Sequence, residues 1–97
     1  MANITITREL GADRDRYIGT VEGVAGEAEL TYSHAEPARV VADHTFTPDK
    51  MRGQGVATAL VERLVADARR EGFRIVPLCP FVKAQFDRHP EWSDLRA

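Results

Sequence analysis

The sequence has little cysteine, and it has no long apolar run. Cys79 is the single cysteine among 97 residues. This count excludes an internal disulfide framework and a zinc site built on cysteines, and it suits a reducing cytoplasm. No apolar stretch approaches the roughly 18–20 residues that span a bilayer, and the first residues lack the basic and apolar regions of a signal peptide. We therefore expect a cytoplasmic protein without a membrane segment.

A strong excess of one charge is also missing. The net charge of −2 gives no argument for binding to nucleic acid or to an anionic membrane. Residues 1–48 contain four basic and eight acidic side chains, whereas residues 49–97 contain nine basic and seven acidic ones. The second half is the better place for an anionic ligand, although on charge alone ordinary scatter of surface charge is the preferred explanation.

What is present fits one small globular domain. Apolar residues make up 43% of the chain and charged residues 29%, which argues against disorder. Two domains would each be smaller than the size that usually holds a core. We expect a single domain over residues 1–97.

The first half reads as four β-strands. Alternating apolar and polar residues predict strands over residues 4–7, 16–21, 27–33 and 39–47. Turn signals separate them at residues 11–13, 22–23 and 36–38, which favours an antiparallel meander. His34 is expected to lie in an exposed turn.

The spacing of apolar residues changes after Pro48, from the alternation of strands to the period of an α-helix. One apolar helical stripe is formed by Ala57, Leu60, Val61, Leu64, Val65 and Ala68. The charged residues of this helix, Asp67 among them, fall off the stripe, and Gly72 is suited to end it. A fifth strand over 74–78 and a second helix over 81–89 follow, and Trp92 and Leu95 are expected to dock on the core. The order β-β-β-β-α-β-α predicts an α+β fold with strands four and five parallel across the helical crossover.

The loop before the first helix has the features of a phosphate site. A helix N-terminus leaves about four N–H groups unpaired and carries the positive end of the helix dipole. Gly53 and Gly55 allow close approach to the backbone, Ala57 keeps the first turn narrow, and Lys50 and Arg52 add positive charge. Together these residues describe a pyrophosphate cradle.

Two familiar phosphate loops do not fit this segment. A P-loop requires Lys-Ser/Thr after its last glycine, but Val56 follows Gly55. A dinucleotide fingerprint requires Gly or Ala where Thr58 stands, and it belongs early in a βαβ unit.

The segment resembles a third kind of loop. Arg52-x-x-Gly55-x-Ala57 is similar to the R/Q-x-x-G-x-G/A loop of the Gcn5-related N-acetyltransferases. Further segments, residues 44–48, 76–82 and 89–92, resemble the small YjdJ-type branch of that superfamily, and the likeness extends over nearly the whole chain from the second strand. It implies a minimal version of that fold, with acetyl-CoA held in a gap where strands four and five splay apart.

The resemblance also implies a set of binding residues. Backbone N–H groups around Phe46 and Thr47 would polarise the thioester oxygen. The pyrophosphate would lie on the N–H groups of Arg52, Gly53, Gln54, Gly55, Val56, Ala57 and Thr58.

His44 is the candidate base for the acceptor amine. Histidine changes its charge near neutral pH, and His44-Thr45 matches the resemblance. The alternative is a packed histidine, because strand alternation places His44 on one face with Val40, Ala42 and Phe46.

Cys79 is the second catalytic candidate. It precedes the second helix, where a thiolate is favoured. It could protonate the departing thiolate or form an acyl-enzyme, and the alternative is a small buried filler.

Other polar residues are interpreted as structural. Asp43 and Asp49 are expected to be solvated or capping, and Tyr32 to lie in the core. The three histidines lack the spacing of ligands on a helix, so no metal site is expected.

Three functions remain open at this stage. The first is an acetyl-CoA-dependent transferase acting on an amine of unknown identity. The second is a non-catalytic CoA-binding module that senses the cofactor or docks on a partner, and the third is a structural domain. Members of the superfamily usually insert helices between their first two strands. Residues 9–15 are too few for such helices, so we expect an open acceptor face or one completed by a partner protein or a second copy.

Overall fold

The structure is a computed structural model that describes residues 3–36 and 38–97. Five strands form one sheet in the order β1 (Ile4–Glu9), β2 (Arg14–Val21), β3 (Val24–Glu36), β4 (Arg39–Phe46) and β5 (Arg74–Pro77). Two α-helices, α1 (Val56–Glu71) and α2 (Pro80–Arg88), follow β4 and β5 respectively. Short 3-10 helices occupy Asp49–Met51 and Pro90–Leu95.

The sheet topology confirms the predicted α+β class. Neighbouring strands are antiparallel from β1 to β4, whereas β4 and β5 are parallel. Parallel strands need a long crossover connection, and α1 supplies it. The four-residue connection 10–13 between β1 and β2 contains no helix.

Both helices cover the same face of the sheet, which we call the helix face. Leu60 and Leu64 of α1 are fully buried there against sheet residues such as Leu30. Trp92 and Leu95 join the same core, which confirms that the C-terminal segment docks by these two side chains.

The other side of the sheet, which we call the open face, carries the side chains that alternate with this core. Its members include Arg16, Ile18, Glu29, Thr31, Ser33, Asp43 and His44. Most of them are polar, as expected for the solvated side of an antiparallel sheet.

A β-bulge in β4 changes which side chains reach each face. His44 pairs with Thr31 and Ala42 pairs with Tyr32, so Asp43 is an extra residue on β4. Asp43 and His44 therefore both lie on the open face, where Asp43 accepts hydrogen bonds from Thr31 and Ser33. The predicted alternation was wrong here, because His44 does not share a face with Ala42. The bulge turns Thr45 to the helix face instead.

Several boundaries differ from the predicted ones. β3 extends to Glu36, so His34 lies on a strand and not in a turn, and its Nε2 is 3.0 Å from Asp15 Oδ2. β2 begins at Arg14, two residues earlier than predicted, and α2 covers Pro80–Arg88. The predicted break at 36–38 includes Pro37, which lies outside the described residues.

Asp67 lies off the predicted apolar stripe of α1, and yet it is buried. It lies on α1 with no exposed area, and its Oδ2 accepts a hydrogen bond of 2.6 Å from the Tyr17 hydroxyl. Arg63 and Arg70 also donate to this carboxylate. Burial alone would raise the pKa of Asp67, but the hydrogen bonds from Tyr17 and Arg70 lower it below its ordinary value. The helical pattern could not reveal this, because Tyr17 is distant in sequence.

Candidate functional site

The loop between β4 and α1 is fixed by one buried side chain and two glycines. Met51 ends the 3-10 helix and is fully buried, so it anchors the loop in the core. Gly53 and Gly55 have φ of +80° and +85°, the left-handed region that other residues adopt only with strain. The sequence therefore needs glycine at both positions to turn the chain into the helix.

The start of α1 has no protein group to cap it. Gly55 is the N-cap residue and has no side chain, and the first turn contains no acidic residue. Within residues 3–36 and 38–97, no acceptor takes up the N–H groups of Gly53, Gly55, Val56, Ala57 and Thr58. These donors and the positive end of the helix dipole favour a bound anion.

The space above the loop is open. A Cβ atom added to Gly53 or to Gly55 would meet no protein atom within 4 Å. Beside the loop lies a cleft of about 410 Å³. It is lined by Thr45, Thr47, Met51, Arg52, Gly53, Val56, Ala57 and Phe81. An anionic group can thus reach the free N–H groups, with the cleft next to it.

Arg52 adds a mobile positive charge to the cleft. Its side chain is 73% exposed, and its Nε lies 3.2 Å from Asp49 Oδ1 in a surface ion pair. Such pairs contribute little, so the guanidinium can turn toward a phosphate at small cost. Asp49 is 93% exposed, which agrees with its prediction as a solvated residue.

The gap between β4 and β5 begins beside this cleft. The last parallel pair is Ala42 with Pro77, and the N–H of Cys79 then donates to the Ala42 carbonyl at 2.8 Å. β4 continues to Phe46, and these last residues pair with β3. The pairing of the two parallel strands therefore stops where the cleft starts.

Cys79 lies at the inner wall of this region. It is the N-cap residue of α2, and it is buried with 6% of its surface exposed. Its Sγ is 3.4 Å from the Thr45 hydroxyl, which itself lines the cleft. Thr45 is a site residue that the sequence interpretation missed, because the bulge that aims it could not be seen in the alternation.

His44 lies on the open face, away from Cys79. Its side chain is 59% exposed, and its Nε2 is 3.8 Å from Glu29 Oε2. Phe46, whose backbone was predicted to bind the cofactor, also points outward and is 53% exposed. The structure brings Thr47 and the loop together around the cleft and places Cys79 behind Thr45, whereas it places the imidazole on the other side of the sheet.

The remaining polar residues have structural partners. The Tyr32 ring is buried as predicted, and its hydroxyl accepts a hydrogen bond of 2.6 Å from Arg8. Burial alone would raise the pKa of Asp43, but the hydrogen bonds from Ser33 and Thr31 outweigh this effect. The pKa of Asp43 is therefore below its ordinary value. Asp43 is thus a fixed carboxylate and not a freely solvated one.

Residues 3–36 and 38–97 contain no group of three or more His, Cys, Asp and Glu side chains placed to hold one metal ion. Neither described helix combines the length and apolar character needed to cross a membrane.

Comparison with known proteins identifies the class to which this site belongs. A family model described as GCN5-related N-acetyl-transferase matches residues 16–95, and the chain therefore belongs to this family. The chain is also similar to a "GCN5-like putative N-acetyltransferase" from Staphylococcus aureus, known from its NMR solution structure. The two chains share 25% identity and a TM-score of 0.68, covering 100% of this chain and 91% of the other. No curated protein matches the chain significantly.

Proposed function

We propose that this protein transfers an acetyl group from acetyl-CoA to an amine. The observation that carries the proposal is the uncapped start of α1, where free N–H groups lie beside a cleft lined by Arg52, Gly53 and Val56, and where the space next to Gly53 and Gly55 is open. Family membership supports the same chemistry. We further propose that the chain acts as a single domain in the cytoplasm and belongs to the YjdJ-type branch.

The residues fit the groups that acetyl-CoA presents. Within the predicted segment from Arg52 to Thr58, the free N–H groups of Gly53, Gly55, Val56, Ala57 and Thr58 would hold the pyrophosphate. The N–H groups of Arg52 and Gln54 already donate to the carbonyls of Asp49 and Met51. Backbone N–H groups near Phe46 and Thr47 would polarise the thioester oxygen, as an oxyanion site does. When bound, acetyl-CoA supplies the activated acetyl group.

The acceptor side is proposed to be the open face. His44 would take the proton from the amine, and its exposure leaves room for an acceptor to approach. Because His44 and Cys79 lie on opposite faces, the acceptor must meet the thioester through the gap beyond Ala42 and Pro77. The short 10–13 connection leaves this face open to a small amine, a protein amine, a partner or a second copy.

The first experiment measures binding of the donor. Thermal unfolding is followed with and without coenzyme A, and a ligand at 100 times its Kd should stabilise the fold by about 2.7 kcal/mol. An unchanged midpoint at millimolar coenzyme A would reject both the transferase and the binding-module functions.

The second experiment separates an enzyme from a binding module. The placement of His44 and Cys79 on opposite faces of the sheet favours the non-catalytic module as the second candidate. A panel of amines is assayed with acetyl-CoA, using the wild type, His44→Ala and Cys79→Ala. Turnover that falls in His44→Ala supports the transferase. Binding of coenzyme A without turnover of any amine would support the module.

A further inference from the structure

The contact between Thr45 and Cys79 connects the buried thiol to the cleft. The two atoms, Oγ1 and Sγ, are 3.4 Å apart, which is within hydrogen-bonding distance for sulfur. Thr45 is partly exposed and lines the cleft, whereas Cys79 is 6% exposed and belongs to the hydrophobic core. Any group in the cleft therefore meets the Thr45 hydroxyl before it meets the thiol.

The bulge in β4 is what makes this contact possible. If β4 were regular and Asp43 took its place in the alternation, the two-residue period would turn Thr45 to the open face, away from Cys79. Bulges commonly occur where a strand must re-aim a side chain beside a site. The position of the Thr45 hydroxyl thus depends on the bulge in β4.

The burial of Cys79 distinguishes between its two candidate roles. A nucleophile has to touch the carbonyl carbon that it attacks, and a thiol behind Thr45 is poorly placed to do so. A proton donor can act through an intervening group, because a hydroxyl both donates and accepts. The geometry favours the second role.

We propose that Thr45 relays a proton from Cys79 to the sulfur that leaves the thioester, an inference that rests on the proposed function. The Thr45 O–H bond breaks as an S–H bond forms on the released coenzyme. The Cys79 S–H bond breaks as the hydroxyl of Thr45 is restored. Cys79 regains its proton from water, and the proton taken from the amine by His44 is released to water, so charge and atoms balance.

The test is the rate at which iodoacetamide alkylates Cys79 in the absence of any cofactor. Thr45→Val keeps the shape of the side chain but removes the hydroxyl, while Thr45→Ser keeps the hydroxyl. A hydrogen bond to sulfur favours the reactive thiolate, so Thr45→Val should react roughly five- to ten-fold more slowly, and Thr45→Ser should stay near the wild type. Thr20→Val on β2 is the matched control and should alkylate at the wild-type rate.

Two results would overturn the relay. One is alkylation of Thr45→Val at the wild-type rate, and the other is Thr45→Ser reacting as slowly as Thr45→Val. If Thr45→Val does not fold, Thr45→Ala is compared with Thr45→Ser, because both lack the methyl group of threonine and uncover the thiol to a similar extent. Thr45→Ala should then react more slowly than Thr45→Ser, and equal rates in the two variants would overturn the relay.

Turnover provides a further check once an amine acceptor is found. Thr45→Val should lower kcat with little change in KM, and it should have no further effect in Cys79→Ala. An acetyl adduct on Cys79 would contradict the relay and support an acyl-enzyme. Failure of coenzyme A to stabilise the wild type would reject the proposed function itself, and the alkylation series distinguishes that failure from failure of the relay.

Discussion

The two ends of α1 are built in opposite ways. At the N-terminal end, the N-cap is a glycine, the first turn has no acidic residue, and an anion can approach freely. At the C-terminal end, Gly72 closes the helix with a hydrogen bond of 2.8 Å to the Ala68 carbonyl. Arg69 and Glu71 of the last turn are bonded to side chains of other elements.

This comparison assigns different roles to the two ends of α1: the C-terminal end stabilises the fold, and the N-terminal end is available for binding. The C-terminal end holds the helix to the sheet through Asp67 with Tyr17 and through Glu71 with Arg8, whose Nη1 lies 2.5 Å from Glu71 Oε2. The bond from Arg8 holds the pKa of Glu71 below its ordinary value. The N-terminal end keeps its donors unpaired, which is tolerable because the loop before the helix is exposed and the cleft lies beside it. A helix fastened at one end can leave the other available to a ligand.

The largest expected effect comes from the fastened end. Asp67→Ala leaves the buried Tyr17 hydroxyl and the neighbouring arginines without their acceptor, so it should lower the free energy of unfolding by about 3 kcal/mol. Urea unfolding measures this loss. Glu62→Ala removes an exposed acid of the same helix and should change little. Equal losses in the two variants would show that the Asp67 network does not fasten the helix.

The next largest effect distinguishes the two glycines at the ends of α1 by their influence on coenzyme A binding. Gly55→Ala and Gly72→Ala impose a side chain on nearly equal φ, +85° and +80°, with no protein atom within 4 Å in either case. Each should destabilise the fold by about 1–2 kcal/mol. Only Gly55→Ala should also weaken coenzyme A binding, by roughly ten-fold or more, because its methyl group would stand in the cradle.

Isothermal titration with coenzyme A measures the affinity of both glycine variants. If Gly72→Ala lost as much affinity as Gly55→Ala, the binding site would not be at the N-terminal end.

A smaller effect is expected from removing one arginine at each end. Arg52→Gln should weaken coenzyme A binding about three- to ten-fold, and the loss should shrink in high salt, because an exposed cation acts through screened attraction. Arg69→Gln breaks contacts with Asp94 and Glu91 and should leave affinity unchanged. Salt-dependent titrations of the two variants make the comparison. An equal loss of affinity in both would mean that only overall charge matters.

The smallest effect is a pH dependence of stability at the fastened end. The pKa of Asp67 is lower in the folded protein than in the unfolded chain, because hydrogen bonds from Tyr17 and Arg70 outweigh its burial. Its contribution is therefore complete above the unfolded pKa near 4 and is lost as pH falls through the folded pKa. The stability difference between the wild type and Asp67→Asn should shrink as pH falls below about 4. A constant difference in urea unfolding would contradict this assignment.

The sequence was most informative where local chemistry decides the structure. The uncapped start of α1 could be predicted from Gly53, Gly55 and Arg52, because positive φ angles and unpaired N–H groups depend on short-range geometry. The parallel pairing of β4 and β5 followed equally well from the order of elements. The family comparisons agree with the resemblance that these residues suggested.

The sequence was least informative where distant residues decide. The bulge at Asp43 exchanges the faces of His44 and Thr45, and it depends on register with β3 that alternation along β4 cannot show. Asp67 looked like a surface residue because its partner Tyr17 belongs to another element. Long-range pairing and buried polar contacts are set by the fold as a whole, so a single sequence could not reveal them.

Gly19 on β2 affects the cradle from a distance. Val56 is the first residue of α1, and a Cβ atom added to Gly19 would lie 2.6 Å from its Cγ2 atom. The helix therefore begins above a position where the sheet has no side chain. The height of the helix start above the sheet is therefore set at Gly19. Alanine at this position would force the side chain of Val56, in the first turn of the helix, to shift. The geometry of the donor site can thus be adjusted from the sheet, without any change in the residues that would touch the donor.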